Sequence, residues 1–239
     1  MGRAILSRLN ERVIVYDTRQ DALKGLPVTV AKDNTELVAR SHCIILAIKP
    51  QAWPPVKQEL KAEGKLLISI MAGVPIASLM KTGAKVCRVM PNLALERGEG
   101  LIAHCFSTGW TQDEIAYVLK LFMKLGRPLE VDEAALDTIT GLSGSGIAYL
   151  LAVMRALAEE GEKRGLSAEQ TRTILAQTAR GAGALLEHND FSIIEKIASK
   201  GGTTEQGLAA LKAHGIDAAF RDVMQRTIEK CAALSRDFR

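Results

Sequence analysis

The sequence predicts a doubly wound α/β domain with a parallel sheet, followed by an all-helical domain, and three observations carry that expectation. Short apolar runs alternate with helix-like patterns over the first half of the chain. The runs are continuous rather than alternating, CIILAI from Cys43 to Ile48 being the clearest, as suits strands covered by helices on both faces. From Ser143 onward the pattern becomes Ala- and Leu-rich with helical periodicity and no strand-like segment.

Taken in order, strands are expected at 12–16 (RVIVY), 28–31 (VTVA), 43–48, 65–71 (KLLISIM), 85–90 (KVCRVM), 100–106 and 128–132, with helices between most of them. β-Branched residues dominate several of these runs, where a stiff side chain packs well on a pleated surface. In the second half, helical spacing runs from Tyr149 to Lys163 and breaks at Gly165-Leu166-Ser167. It resumes from Ala168 to Glu187, and further helices are expected from Phe191, Thr203 and Ile216. With no tandem repeat and no low-complexity linker, the boundary is expected near 131–143, giving domains 1–131 and 132–239.

Composition narrows the class of function. The 239 residues are 47% hydrophobic, and 31 Lys and Arg stand against 27 Asp and Glu. The resulting net charge of +4 is dispersed and only 4% of residues are aromatic, so neither a basic groove nor a stacking platform for nucleic acid is indicated. Cys43, Cys87, Cys105 and Cys231 lack metal-site or disulfide-framework spacing, which fits a reducing cytoplasm. No uninterrupted apolar run has the length of a membrane span, and MGRAILSRLNER lacks the apolar core of a signal peptide, so no membrane partner is expected. The four histidines have no paired carboxylate or metal spacing, and no metal is expected.

The stretch from Ile197 to Leu208, IASKGGTTEQGL, puts two glycines and two threonines at the mouth of a helix. Gly201 and Gly202 let a ligand approach the backbone, and Thr203 and Thr204 add hydroxyls. The first N–H groups of a helix have no internal acceptor and carry partial positive charge, so a small carboxylate is stabilised there. The same residues also read as a turn followed by a threonine N-cap with Gln206 at N2 or N3.

A sheet of this kind binds a nucleotide at a Gly-rich turn after its first strand. Met1-Gly2 looks like the tail of a G-x-G-x-x-G fingerprint, with the first strand and first two glycines expected upstream. That leaves open a displaced start, a truncated chain, or a chain that has lost dinucleotide binding.

Several motifs together resemble the pyrroline-5-carboxylate reductase family. They are Met1-Gly2, LAIKPQ (Leu46 to Gln51), ISIMAGVPI (Ile68 to Ile76), RVMPN (Arg88 to Asn92), GEG (Gly98 to Gly100), ITGLSGSGIAY (Ile139 to Tyr149) and SKGGTT (Ser199 to Thr204). The resemblance implies a Rossmann-type domain binding NADPH or NADH and an all-α dimerisation domain. It implies a homodimer, or a larger assembly built from it, whose active site joins the nucleotide domain of one subunit to the helical domain of its partner. The reaction implied is reduction of the cyclic imine 1-pyrroline-5-carboxylate to proline, the last step of proline biosynthesis.

By the resemblance, the substrate carboxylate sits on the amides around Gly201, Gly202 and Thr203, with Ser199 in the same motif. Thr204 matches the position whose hydroxyl bonds the substrate near its ring nitrogen. The nicotinamide gives hydride to the imine carbon, and a hydroxyl with bound water relays the proton that nitrogen must gain. On the cofactor side, Gly2 belongs to the fingerprint tail. Asp17 stands where a carboxylate bonds a ribose hydroxyl and favours NAD, whereas Arg19 accepts a 2′-phosphate and favours NADP; the two signals conflict. Asp17-Thr18-Arg19 equally reads as a solvated turn. Ala47, Lys49 and Pro50 line the cofactor in the family, Asn92 matches a position suited to the carboxamide, and Ser143 to Gly146 sit beside the nicotinamide.

Three departures bear on the substrate pocket. Leu93-Ala94-Leu95-Glu96-Arg97 replaces a usual Thr-Pro-Ala, and Ile147 and Lys200 stand where prolines are common. Reduction of a related cyclic imino acid therefore stands as an alternative, as does a weakly active or noncatalytic paralogue. A dehydrogenase of 3-hydroxy acids is disfavoured, because its proton-transferring lysine falls here at Leu150.

Overall fold

Continuous apolar runs become strands because a helix-covered strand must be apolar on both faces. In the computed structural model, which describes residues 1–236 and 238, they form two sheets. β1 (Ile14–Val15) pairs in parallel with β2 (Thr29–Val30). The second sheet runs in sequence order: β3 (Cys43–Leu46), β4 (Leu66–Ser69), β5 (Lys85–Pro91), β6 (Gly100–Phe106) and β7 (Gly126–Glu130). β3, β4 and β5 are parallel, with Ile45 opposite Ile68 and Ile68 opposite Cys87.

The expected parallel sheet is present and carries one reversed strand, since β6 runs antiparallel to β5, Met90 facing Ala103. Only Asn92 to Glu99, most of it the 3₁₀ segment Leu93–Arg97 closed by a left-handed Gly98, connects them, and a link that short leaves no room for a parallel crossover. β1 and β2 are shorter than expected, and β7 begins at Gly126, two residues earlier than expected. A Cβ on Gly126 would lie 1.9 Å from the Gly100 carbonyl oxygen, so this close pairing of β7 with β6 requires glycine.

Helices cover both faces of the larger sheet. On one face α1 (Gly2–Leu6) and α5 (Gln112–Leu125) bury Ile5, Val118, Leu121 and Phe122 against Ile68, Val89 and Ile102. On the other, α2 (Asn34–Arg40), α3 (Trp53–Glu59) and α4 (Ile76–Leu79) bury Val38, Trp53 and Leu79 against Ile44, Leu46, Leu67 and Val86. α5 begins at a capping box, Thr111 accepting from the Glu114 N–H while Glu114 accepts from the Thr111 N–H.

The helical part comprises α6 (Leu136–Ile139), a π-helical turn Thr140–Ser145, α7 (Gly146–Lys163), α8 (Ala168–His188), α9 (Ile193–Ile197), α10 (Thr203–Ala213) and α11 (Ile216–Arg236). The break expected at Gly165 is present, with φ +96°, and Ser167 then caps α8 in a second capping box with Gln170.

The chain divides into two compact units, Met1–Ile147 with Arg226–Arg239, and Ala148–Gln225. The first contains the sheets and their cores, and also Leu136, fully buried with Met90, Ala103 and Cys105. Among the described residues the second has no apolar core of its own: Thr171 is its one buried residue, while Leu150, Leu151, Leu157, Phe191 and Ile197 are exposed. The helical stretch Glu133–Lys163 is long and apolar enough by length and composition to cross a membrane, although polar residues interrupt its apolar runs.

Candidate active site

Apart from Gly2, the cofactor candidates follow the carboxyl ends of parallel strands. Gly2 opens α1, and a Cβ there would stand 3.2 Å from the Ala47 Cβ, so the helix start and the loop after β3 are in close approach. Lys49 is exposed in extended conformation, and Pro50 opens a 3₁₀ turn, its fixed φ suiting the first helical position. These residues fit a dinucleotide: a glycine at a helix start, a side-chain-free approach, and an exposed ammonium beside it.

Past β1, the Asp17 carboxylate accepts the Arg19 N–H at 2.8 Å and lies 3.9 Å from the Arg19 Nε. The two conflicting cofactor signals thus belong to one turn. Asn92 is similarly engaged. Its Oδ1 accepts the Ala94 N–H at 3.2 Å, capping the 3₁₀ segment, and its Nδ2 donates to the Ser143 Oγ at 2.9 Å. An amide nitrogen carries two hydrogens, so one remains for another acceptor. Leu95, from the segment that departs from the family pattern, is fully buried in the sheet core.

The helix mouth has its own geometry. The N-cap of α10 is Gly202 rather than a threonine, and no side chain caps the helix. Gly201 has φ +75°, which glycine adopts without strain. A Cβ on Gly202 would lie 2.6 Å from the Ser199 Oγ and 2.9 Å from its carbonyl oxygen, so the turn is closed to any side chain there. Not every amide of the expected cradle is open. The Gly202 N–H donates to the Ser199 carbonyl at 2.9 Å, and the Gly201 N–H donates to the Glu205 Oε2 at 2.7 Å. The N–H groups of Thr203 and Thr204 have no acceptor among the described residues, and the Thr204 side chain is exposed. Glu205 escaped the sequence reading. Its signal was a carboxylate at N3, three residues past the N-cap.

Below the sheet end, Arg88 is buried with its Nη1 3.0 Å from Glu133 and its Nη2 3.5 Å from Asp137. Glu133 also accepts the Ile76 N–H at 2.8 Å, so one carboxylate ties the loop after β4 to the segment before α6. Sequence patterning gave no reason to single out this pair, because a lone arginine in a strand and a glutamate in a loop carry no local signature. Among the described residues no cluster of His, Cys, Asp or Glu could hold a metal ion.

Residues 133–234 match the family model for pyrroline-5-carboxylate reductase dimerisation, and residues 1–73 match that for NADP oxidoreductase, coenzyme F420-dependent. The chain is 33% identical to a pyrroline-5-carboxylate reductase of Methanosarcina acetivorans over 226 residues, 91% of this chain and 84% of that protein. It is 34% identical to pyrroline-5-carboxylate reductase 3 of Xenopus laevis over 231 residues, 92% of this chain and 84% of that one. The crystal structure of Plasmodium falciparum pyrroline carboxylate reductase with NADP bound superposes with a TM-score of 0.89 at 27% identity, covering 98% of this chain and 94% of the other. From shared motifs, shared architecture and identity along nearly its whole length, the chain belongs to the pyrroline-5-carboxylate reductase family.

Proposed function

We propose that this protein reduces 1-pyrroline-5-carboxylate to proline, the last step of proline biosynthesis, with NADPH or NADH as reductant. The observation that carries the reading is the mouth of α10, where two adjacent glycines and the open N–H groups of Thr203 and Thr204 present a carboxylate-sized positive end beside an exposed hydroxyl.

The residues divide by task. Gly2, Ala47, Lys49 and Pro50 would hold the cofactor, with Asp17 and Arg19 at its ribose and the remaining Asn92 N–H at its carboxamide. When bound, the nicotinamide supplies a hydride to the carbon of the imine bond. Ser199, Gly201, Gly202 and Thr203 hold the substrate carboxylate. Thr204 orients the ring nitrogen and passes it a proton through water, so that the carbon–nitrogen double bond becomes a secondary amine. No strong acid is required, because the imine nitrogen is itself basic.

The coreless second unit, whose exposed leucines and Phe191 need a cover that water does not provide, supports a homodimer or a larger assembly of dimers. The same need accounts for the apolar Glu133–Lys163 stretch without a bilayer. On this reading residues 1–131 bind the dinucleotide, 132–239 dimerise and hold substrate, and the protein works in the cytoplasm.

The test is oxidation of NADPH and, separately, NADH by the purified protein with 1-pyrroline-5-carboxylate. Saturable turnover is expected with at least one cofactor. Cofactor binding without turnover on this substrate, but with turnover on another cyclic imino acid, would replace the substrate. No cofactor binding at all would overturn the enzyme reading.

A further inference from the structure

The Gly201 amide at the mouth of α10 is already in contact with a carboxylate. The Glu205 Oε2 accepts its N–H at 2.7 Å, and Glu205 stands at N3, where an acidic side chain is favoured by the helix dipole. The neighbouring donors, Thr203 and Thr204, point from the same helix start without acceptors among the described residues. The mouth therefore holds one negative group of its own and has room for one more set of bonds.

We propose that Glu205 is a resident competitor for the substrate carboxylate, a specificity-determining residue that must release Gly201 before a carboxylate ligand can bond its amide together with those of Thr203 and Thr204. The inference rests on the substrate reading given above. Two carboxylates cannot share one helix end without mutual repulsion, and departure of Glu205 exchanges one charge-assisted hydrogen bond for another of the same kind. A ligand offering only a carboxylate gains little from this exchange. A ligand that also engages Thr204 and the cofactor ring gains enough to displace it. Apparent affinity is then the intrinsic affinity scaled by the fraction of molecules with Glu205 swung away. The consequence is selectivity: small carboxylates and other anions bind poorly, and the substrate KM is higher than the bare mouth would give.

The alternative is that Glu205 merely steadies the helix start, and the two roles predict opposite changes. Glu205→Gln keeps an acceptor for the Gly201 N–H and removes the charge. Under the proposal its KM for 1-pyrroline-5-carboxylate falls roughly fivefold, the size of one modest surface charge interaction, and the change sits in KM rather than in kcat. Glu205→Ala lowers KM as well. A KM in Glu205→Gln equal to or above that of the unsubstituted enzyme overturns the proposal.

A second measurement needs no turnover. With acetate as the probe, backbone amide NMR of Gly201 to Thr204 reports occupancy of the mouth directly. Tighter acetate binding by Glu205→Gln than by the unsubstituted protein supports the proposal, and equal or weaker binding overturns it. If the unsubstituted protein fails to reduce 1-pyrroline-5-carboxylate, the substrate reading falls while the acetate comparison still decides the role of Glu205.

Discussion

The Nδ2 of Asn92 donates to the Oγ of Ser143 at 2.9 Å, tying the carboxyl end of β5 to the π-helical turn Thr140–Ser145. The other end of the same amide caps the 3₁₀ segment through the Ala94 N–H. Asn92→Ala removes both bonds and is expected to lower the unfolding free energy by about 2 kcal/mol, whereas Ser143→Ala removes one and costs about 1 kcal/mol. Urea denaturation of the two single variants and the double variant checks this, and the double variant is expected to be less destabilised than the sum.

Thr204 has the opposite profile, because its hydroxyl has no partner among the described residues and supports nothing in the fold. Thr204→Ala is expected to leave the melting temperature unchanged and to lower kcat by about a hundredfold, the usual scale for a lost proton-transfer group. NADPH affinity stays as it was. Thr204→Ser restores most of the rate, and unchanged turnover in Thr204→Ala would remove the residue from the mechanism.

The Arg88 cluster makes an asymmetric prediction. Arg88 is 6% exposed along its side chain, whereas Glu133 is 37% exposed, so losing the glutamate leaves a buried guanidinium with only the longer Asp137 contact, and losing the arginine leaves a carboxylate that water can reach. The Arg88 Nε already lacks a partner among the described residues. Glu133→Ala is expected to cost about 3 kcal/mol, and Arg88→Met about 1 kcal/mol. Equal costs in chemical denaturation would contradict the assignment of the buried partner.

Acid lability has a local source at the start of α5. The Lys85 ammonium, 2.8 Å from the Glu114 carboxylate, holds that carboxyl below its ordinary value of 4.5, and the Thr111 N–H adds to the effect. A lowered carboxyl pKa gives stability that is present above the ordinary value and is lost as pH falls through the folded one. The melting temperature is therefore expected to drop between about pH 5 and about pH 3, less steeply in Lys85→Met than in the unsubstituted protein. Thermal scans across that range measure the difference.

Strands β3 to β6 were legible because each is an apolar run without a helical alternative, and the break before α8 was legible because Gly165 and Ser167 act locally. The antiparallel turn of β6 was not, since direction depends on the length of a connection whose helical or looped character Leu93 to Arg97 left open. The site divided along the same line. SKGGTT announced a glycine-opened helix start through residues that act within a few positions. What occupies its amides depended on which way one glutamate side chain turned.

By itself the sequence determined the class of fold, the location of the helix mouth and the family motifs, because periodicity, caps and glycine conformations are properties of neighbouring residues. Tertiary structure alone decided that Asn92 reaches Ser143 and that Arg88 is paired across the fold with Glu133. The physical reason is range. Backbone preference is settled within a turn of chain, whereas the partner of a charged or amide side chain is whichever group packing delivers to it.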